Sequence, residues 1–197
     1  MAESPLLVVI TGPSGVGKDT VLRALARRLG RRVHVAVTAT TRPPRPDERH
    51  GVHYYFLSPQ EFEALLERGE LLENAVVYGH RYGVPRAPLR RALAQGQDVL
   101  LRTDVQGARY IKSQVPQAVT VFLLPPSLEE LERRLRQRGH DSPQQMALRL
   151  ETARRELEAA DEFDYRVVND RVEAAVDRLV RIVEQERRRP DRVPPRL

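Results

Sequence analysis

Residues 12–20 read G-P-S-G-V-G-K-D-T and follow directly on the apolar run Leu6, Leu7, Val8, Val9 and Ile10. Glycines let backbone N–H groups turn inward around an anion, a following helix adds its positive end, and Lys18 reaches the outer phosphates. The spacing G-x-x-x-x-G-K at a strand-to-helix junction predicts a phosphate-binding loop of Gly12, Pro13, Ser14, Gly15, Val16, Gly17, Lys18, Asp19 and Thr20. One letter departs from the general motif. The position after the lysine should carry a hydroxyl for Mg²⁺, and here it is Asp19. Downstream, Arg42 and Arg45 lie three apart in a proline-rich stretch. Their guanidinium forks suit a dianionic phosphate, because charge-assisted bonds to such a group are short and strong.

These residues need a scaffold, and the chain supplies one. Its 197 residues, 41% of them hydrophobic, are enough for one packed domain with a small insertion. There is no cysteine, which excludes disulfides, thiolate metal sites and cysteine nucleophiles. The start lacks a basic leader pattern and no apolar run approaches ~20 residues, so a cytoplasmic protein without membrane contact is expected. The formal charge is +6, almost all of it arginine, with Lys18 and Lys112 the only lysines. The excess reads as composition bias or as polyphosphate binding. Nucleic acid is not expected as a partner, because the basic residues are interspersed with glutamate and the few aromatics form no stacking series. The tail from residue 187 reads as a solvated end.

Apolar runs alternate with helical patterns, which predicts an α/β fold with a parallel sheet flanked by helices. Strands are expected at residues 6–11, 32–38, 98–101, 119–124 and 165–168, and helices at 17–29 and 172–186. Ser127 with Glu130 forms a capping-box pattern opening an arginine-rich helix, and Ser142 with Gln145 starts another that runs to about residue 160. Between residues 41 and 85 the texture changes. Prolines 43, 44 and 46 make a rigid stretch, residues 52–56, 71–77 and 81–82 look extended, and Ser58 caps a short helix. This reads as a small mixed α/β insertion that carries a second substrate. The expected organisation is a core of residues 1–40 and 86–187, an insertion at 41–85 and a tail at 188–197.

The stretches G-P-S-G-V-G-K, T-T-R-P-P-R-P-D-E-R-H-G-V-H-Y-Y-F, L-L-E-N-A-V-V-Y-G-H-R-Y-G, D-V-Q-G-A, R-R-L-R-Q-R-G and V-V-N-D occur in that order. Together they make the chain resemble guanylate kinase over nearly its whole length. The resemblance implies a P-loop NTPase-type core, an insertion binding the nucleoside monophosphate, and a helical lid at about residues 134–149. It implies transfer of the γ-phosphoryl of ATP to GMP with Mg²⁺, by a monomer or homodimer. Tyr54 and Tyr82 then join Arg42 and Arg45 on the GMP phosphate. Thr38, Glu73 and Asp104 fall at positions that recognise guanine, whose N1–H and exocyclic amine two carboxylates can accept and adenine cannot offer. Lys18, Arg134, Arg138 and Arg149 fall at catalytic positions, suited to charge spread over phosphoryl oxygens. Asn169 and Asp170 match the turn on the adenine side. No general base is needed, because the acceptor phosphate is already ionised; alignment, Mg²⁺ and arginine charge do the work.

The pattern breaks at three places. Asp19 replaces a hydroxyl, Arg102 stands where the family has an acid, and Val84 stands where it has Ser or Thr. Asp19 and Arg102 read as a linked exchange, with Asp19 either ligating Mg²⁺ directly or pairing with Arg102 and leaving the ion to water and phosphate. The G-K-D and Y-G-V features also resemble ribose bisphosphate phosphokinase, a sugar-phosphate kinase of the same fold. A guanylate-kinase-like binding module without catalysis is the third alternative.

Overall fold

The computed structural model describes residues 4–77, 79–137 and 143–197. Along the chain run β1 (Leu7–Thr11), α1 (Lys18–Leu29), β2 (Val33–Val35), β3 (Ala39–Thr40), β4 (Tyr55–Phe56), α2 (Pro59–Glu67), β5 (Leu71–Val77) and β6 (His80–Pro85). Then follow α3 (Arg86–Ala94), β7 (Asp98–Arg102), α4 (Val105–Gln114), β8 (Val119–Leu124), α5 (Leu128–Arg136), α6 (Pro143–Glu158), β9 (Tyr165–Val168) and α7 (Val172–Arg187). Arg138, expected in the lid, and Ser142, expected to cap α6, lie outside the described residues.

Five strands form the core sheet in the order β2-β7-β1-β8-β9, every pair parallel. All five residues of β1 are buried, as a central strand covered on both faces requires. Its side chains alternate between two cores. Leu6, Val8 and Ile10 pack with Val21, Leu25, Leu179 and Val183 of α1 and α7. Leu7 and Val9 pack with Leu89 of α3 and with Ala108 and Ile111 of α4. The phosphate-binding loop therefore leaves the sheet at its centre, where carboxyl ends of parallel strands open onto a crevice.

A second sheet, order β4-β3-β6-β5, is mixed: β3 and β4 run parallel and the other pairs antiparallel. It closes over a small core of Ala39, Phe62 and Leu71, with Tyr55, Leu57, Leu65 and Leu66 against it. The α2 helix is held by a full capping box. The Glu61 N–H donates to Ser58 Oγ at 3.2 Å and the Ser58 N–H donates to Glu61 Oε2 at 2.7 Å.

Three differences from the sequence expectations have physical causes. The strand expected over residues 32–38 is shorter; after Val35 the Ala36 N–H still bonds the Leu100 carbonyl, and the chain then crosses to the second sheet, which takes Ala39 and Thr40. Helices α3 and α4 had no expected counterpart. In the structure Pro88 sits in the first turn of α3, where its missing N–H costs nothing, and Asp104 caps α4. The tail keeps most of its side chains exposed, as expected, but is tied down at several points, which corrects the expected fraying. Arg187 is buried against Asp98, Arg192 Nη2 donates to the Gln117 carbonyl at 2.6 Å, and Arg90 Nε donates to the Leu197 carbonyl at 2.9 Å.

The Asp98–Arg187 pair ties the end of α7 to the start of β7. Their side chains are 1% and 6% exposed, and Asp98 Oδ1 also accepts the Leu6 N–H at 2.9 Å. Burial pushes the Asp98 carboxyl above its usual range, against the opposing effects of the Leu6 N–H and Arg187. Removing one partner strands the other as a buried charge, whereas removing both does not. Asp98→Ala should cost about 3–5 kcal/mol in denaturant unfolding, and Asp98→Leu with Arg187→Met should recover most of it. A double variant as unstable as the single one would refute this account.

Candidate active site

Three glycines shape the phosphate-binding loop. Gly12, Gly15 and Gly17 have φ of 137°, 86° and 97°, a region that L side chains rarely enter. Space is as restrictive as torsion, for a Cβ on Gly12 would lie 2.4 Å from the Leu123 carbonyl oxygen and one on Gly17 2.7 Å from Asn169 Nδ2. Three of the loop's carbonyls are engaged by side chains. Lys18 Nζ donates to the Gly12 carbonyl and to that of Pro13 at 3.1 Å. Asn169 Nδ2 donates to the Val16 carbonyl at 2.7 Å, and Arg134 Nη1 reaches the same oxygen at 3.5 Å. Arg134 is itself held by Glu130 at 2.7 Å and by the Asn169 carbonyl at 3.2 Å. Asn169, 3% exposed, thus sits beneath the loop as a brace, with its own N–H on the Leu124 carbonyl. Asp170 stays on the surface beside Arg178 at 3.2 Å.

Lys18 is the first residue of α1, so its ammonium is carried at the helix's positive end. Burial holds that ammonium below the usual lysine range, opposed by the negative charges of Glu156, Asp104 and Asp19. Asp19 pairs with Arg102 at the carboxyl end of β7. The ion pair, one of the two arrangements open to these residues from the sequence, is formed. Thr20 is exposed beside it.

Across the crevice, the second sheet gathers a cationic and phenolic cluster. The Arg42 guanidinium lies 5.5 Å from the centre of the Tyr54 ring and 5.8 Å from that of Phe56. Tyr54 and Tyr82 stand edge to face with centroids 6.1 Å apart. Sheet register explains the meeting, since β3 and β6 pair Thr40 with Tyr82, directly before the turn that carries Arg42. Arg42 also donates to both oxygens of Glu48, at 2.8 and 2.9 Å, and Glu48 accepts the Arg45 N–H at 2.8 Å. Glu48 is a site residue that the sequence reading did not single out. Its signal was available, an acid three residues after Arg45 in the same rigid stretch.

Glu73 and Asp104 converge on the first turn of α4. A Cβ on Gly107 would lie 3.2 Å from Glu73 Oε2 and 3.3 Å from Asp104 Oδ1. Asp104 caps the helix by accepting the Gly107 N–H at 2.7 Å. The capping role leaves its second oxygen free of that bond, so capping and base recognition are compatible. Burial, and then the neighbouring Asp104 charge, push the Glu73 carboxyl up to about 7. Thr38 lies in the crossover before β3, and its carbonyl accepts the Tyr55 N–H at 2.9 Å. Val84 is 1% exposed and packs in the cluster that holds Leu72, Leu101 and Val105. In this chain the position belongs to the apolar wall behind Glu73.

Two of the arginines expected in the lid lie within the described residues. Arg134 touches the loop, and Arg149 is carried by α6. Arg133, Arg136 and Arg155 pair on the surface with Glu130, Glu132 and Glu151. A second residue missed by the sequence reading is Glu156, which lies two helical turns beyond Arg149 and faces Lys18. The described residues hold no group of three or more His, Cys, Asp or Glu able to take a metal ion, and no described helix is long and apolar enough to cross a membrane.

This architecture, a phosphate loop facing a guanidinium–phenol cluster with two acids between, matches what comparison with known proteins finds. The guanylate kinase family model matches residues 4–186. A guanylate kinase of Synechococcus sp. (strain JA-3-3Ab) is 53% identical over 173 residues, covering 88% of this chain and 79% of the relative. A guanylate kinase of Thermus thermophilus is 52% identical over 187 residues, covering 95% and 84%. Among solved structures, the guanylate kinase from Anaplasma phagocytophilum superposes with a TM-score of 0.74 at 32% identity, covering 96% of this chain and 90% of that one. The chain belongs to the guanylate kinase family and is a nucleoside monophosphate kinase.

Proposed function

We propose that this kinase moves the γ-phosphoryl of ATP to GMP across the crevice between the phosphate-binding loop and the second sheet. The observation that carries the acceptor assignment is the convergence of Glu73 and Asp104 over Gly107, beside the Arg42–Tyr54–Tyr82 cluster. A purine monophosphate laid there puts its dianion on the cations and phenols and its base edge on the acids. Guanine presents two donors to those acids, and adenine would leave them unpaired in a partly buried place. Arg45 reaches the same phosphate from the turn that Glu48 anchors. The sugar-phosphate kinase and the inactive module are set aside, because relatives about half identical over most of the chain are guanylate kinases.

On the donor side, the N–H groups of the loop and Lys18 take the phosphates of ATP, and Arg134, Arg138 and Arg149 add charge as the lid closes. The reacting phosphoryl oxygens need a dry, positively charged place rather than a base. Mg²⁺ fits the oxygen donors at hand, the Asp19 carboxylate and the Thr20 hydroxyl, in a site completed by phosphate and water. Held there with ATP, the ion would supply positive charge to the phosphates. Arg102 moderates Asp19, which unpaired would repel the same phosphates. The expected setting is the cytoplasm, with small nucleotides as the partners.

Glu73 must be ionised to accept guanine's donors. With its carboxyl at about 7 in the empty protein, it is protonated below that value, and GMP binding weakens as pH falls. The KM for GMP should rise from pH 8 to pH 6 more steeply in the parent than in Glu73→Gln, which should lose roughly tenfold in kcat/KM at pH 8. Identical pH profiles for the two proteins would remove Glu73 from the base site. For the ion pair, Arg102→Ala should weaken ATP binding about tenfold, and adding Asp19→Ser should restore it. Titration calorimetry of the two variants reads this directly, and a double variant as weak as the single one would sink the coupling.

A further inference from the structure

Arg102 ends β7 and Thr103 follows it, and successive side chains of an extended chain face opposite ways. Arg102 reaches Asp19 beside the phosphate-binding loop. Thr103 falls on the face of Val99 and Leu101, which pack in the cluster that holds Leu72 and Val84. Its backbone is fixed on both sides. The Thr103 N–H donates to the Ile10 carbonyl at 3.2 Å, which carries the contact with β1 one residue past Arg102, and the next residue, Asp104, caps α4. The half-buried Thr103 side chain lies against the first turn of that helix. A Cβ on Gly107 would meet Thr103 Oγ1 first, ahead of Glu73 Oε2 at 3.2 Å and Asp104 Oδ1 at 3.3 Å. Three oxygens therefore surround one point, and the nearest belongs to a hydroxyl. Asp104 Oδ1 is committed to the Gly107 N–H. Among the described residues, the Thr103 hydroxyl has no hydrogen-bond partner.

The two acids and the hydroxyl differ in what they can do. An ionised carboxylate only accepts, whereas a hydroxyl accepts and donates. A guanine edge presents three hydrogens, one on N1 and two on the exocyclic amine. Glu73 and Asp104 account for the N1 hydrogen and one amine hydrogen. The second amine hydrogen needs an acceptor of its own, because a donor shut away from water without a partner is costly. We propose that Thr103 Oγ1 takes that hydrogen and so sets this kinase's preference for a 2-amino purine. This rests on the reading of Glu73 and Asp104 as the guanine site and names a third member of it. The hydroxyl's own hydrogen is then free to turn to a neighbouring carboxylate, which places a donor between two like charges. Val84, apolar and buried behind Glu73, brings no hydrogen bond to the same edge.

The test is titration calorimetry of the full chain with GMP, and with IMP by displacement of GMP. IMP carries the N1 hydrogen and lacks the exocyclic amine. Thr103→Val keeps the branched shape and removes the hydroxyl. It should weaken GMP about fivefold and change IMP less than about twofold, so the preference for GMP over IMP falls about fivefold. Thr103→Ser keeps the hydroxyl and should hold that preference within about twofold of the parent's. Equal losses for both nucleotides in Thr103→Val mark a structural role and overturn the proposal, as does a Thr103→Ser variant that loses the preference as fully as Thr103→Val. A parent that binds GMP no better than IMP overturns the guanine-site reading itself. A parent that prefers GMP, with the preference unchanged in Thr103→Val, overturns the Thr103 assignment alone.

Discussion

The site depends on where the carbonyls of residues 12–16 go. An anion-binding loop must aim its N–H groups inward, which turns its carbonyl oxygens outward into the protein, where each needs a donor. Here three side chains supply donors. Lys18 serves Gly12 and Pro13 from the following helix, and Asn169 and Arg134 serve Val16 from the far side of the sheet. Gly12 fixes the entry, because the Leu123 backbone stands where its side chain would be. The loop is therefore a product of β8, α5 and the turn after β9 as much as of its own sequence, and its shape is set before any ligand arrives.

The same logic of occupied partners runs through the acceptor half. Arg42 is held by two oxygens of Glu48 and by the face of Tyr54, so its guanidinium is oriented rather than waving in solvent. Orienting a charged group in advance removes an entropic cost from binding and a reorganisation cost from the reaction. Glu73 shows the other side of preparation. It is kept in a place dry enough, and close enough to Asp104, to be reluctant to ionise, which makes a donor-bearing base edge the partner that relieves it.

Much of this was legible in the sequence for a physical reason. Central parallel strands must be apolar on both faces, so β1 and β8 announce themselves, and a phosphate loop needs glycine where φ is positive. The capping pairs Ser58–Glu61 and Ser127–Glu130 appear where their letters put them. The Asp19–Arg102 pair was readable because two departures from one pattern carried opposite charges. What could not be read was decided by distant contacts. Helix α4 contains a glycine that only the closeness of Glu73 and Thr103 explains, Val84 belongs to a core wall, and the tail docks through arginines that look like surface charge. The spacing of Glu48 from Arg45 was there to be read, but Glu156 was missed because an acid in a basic, acid-rich chain carries no signal until its neighbours in space are known.

The order β2-β7-β1-β8-β9 also bears on how the protein is made. The central strand is synthesised before the other four of its sheet, yet Leu7 pairs with Val99 and Val8 with Val119. At translation speeds of about 5–20 residues per second, the most apolar segment of the chain waits several seconds for both neighbours. During that wait the nascent chain exposes five consecutive buried-type residues with unpaired backbone on each side. Shielding of that segment, by early collapse onto α1 or by a chaperone, decides how much of the synthesised chain reaches the folded state.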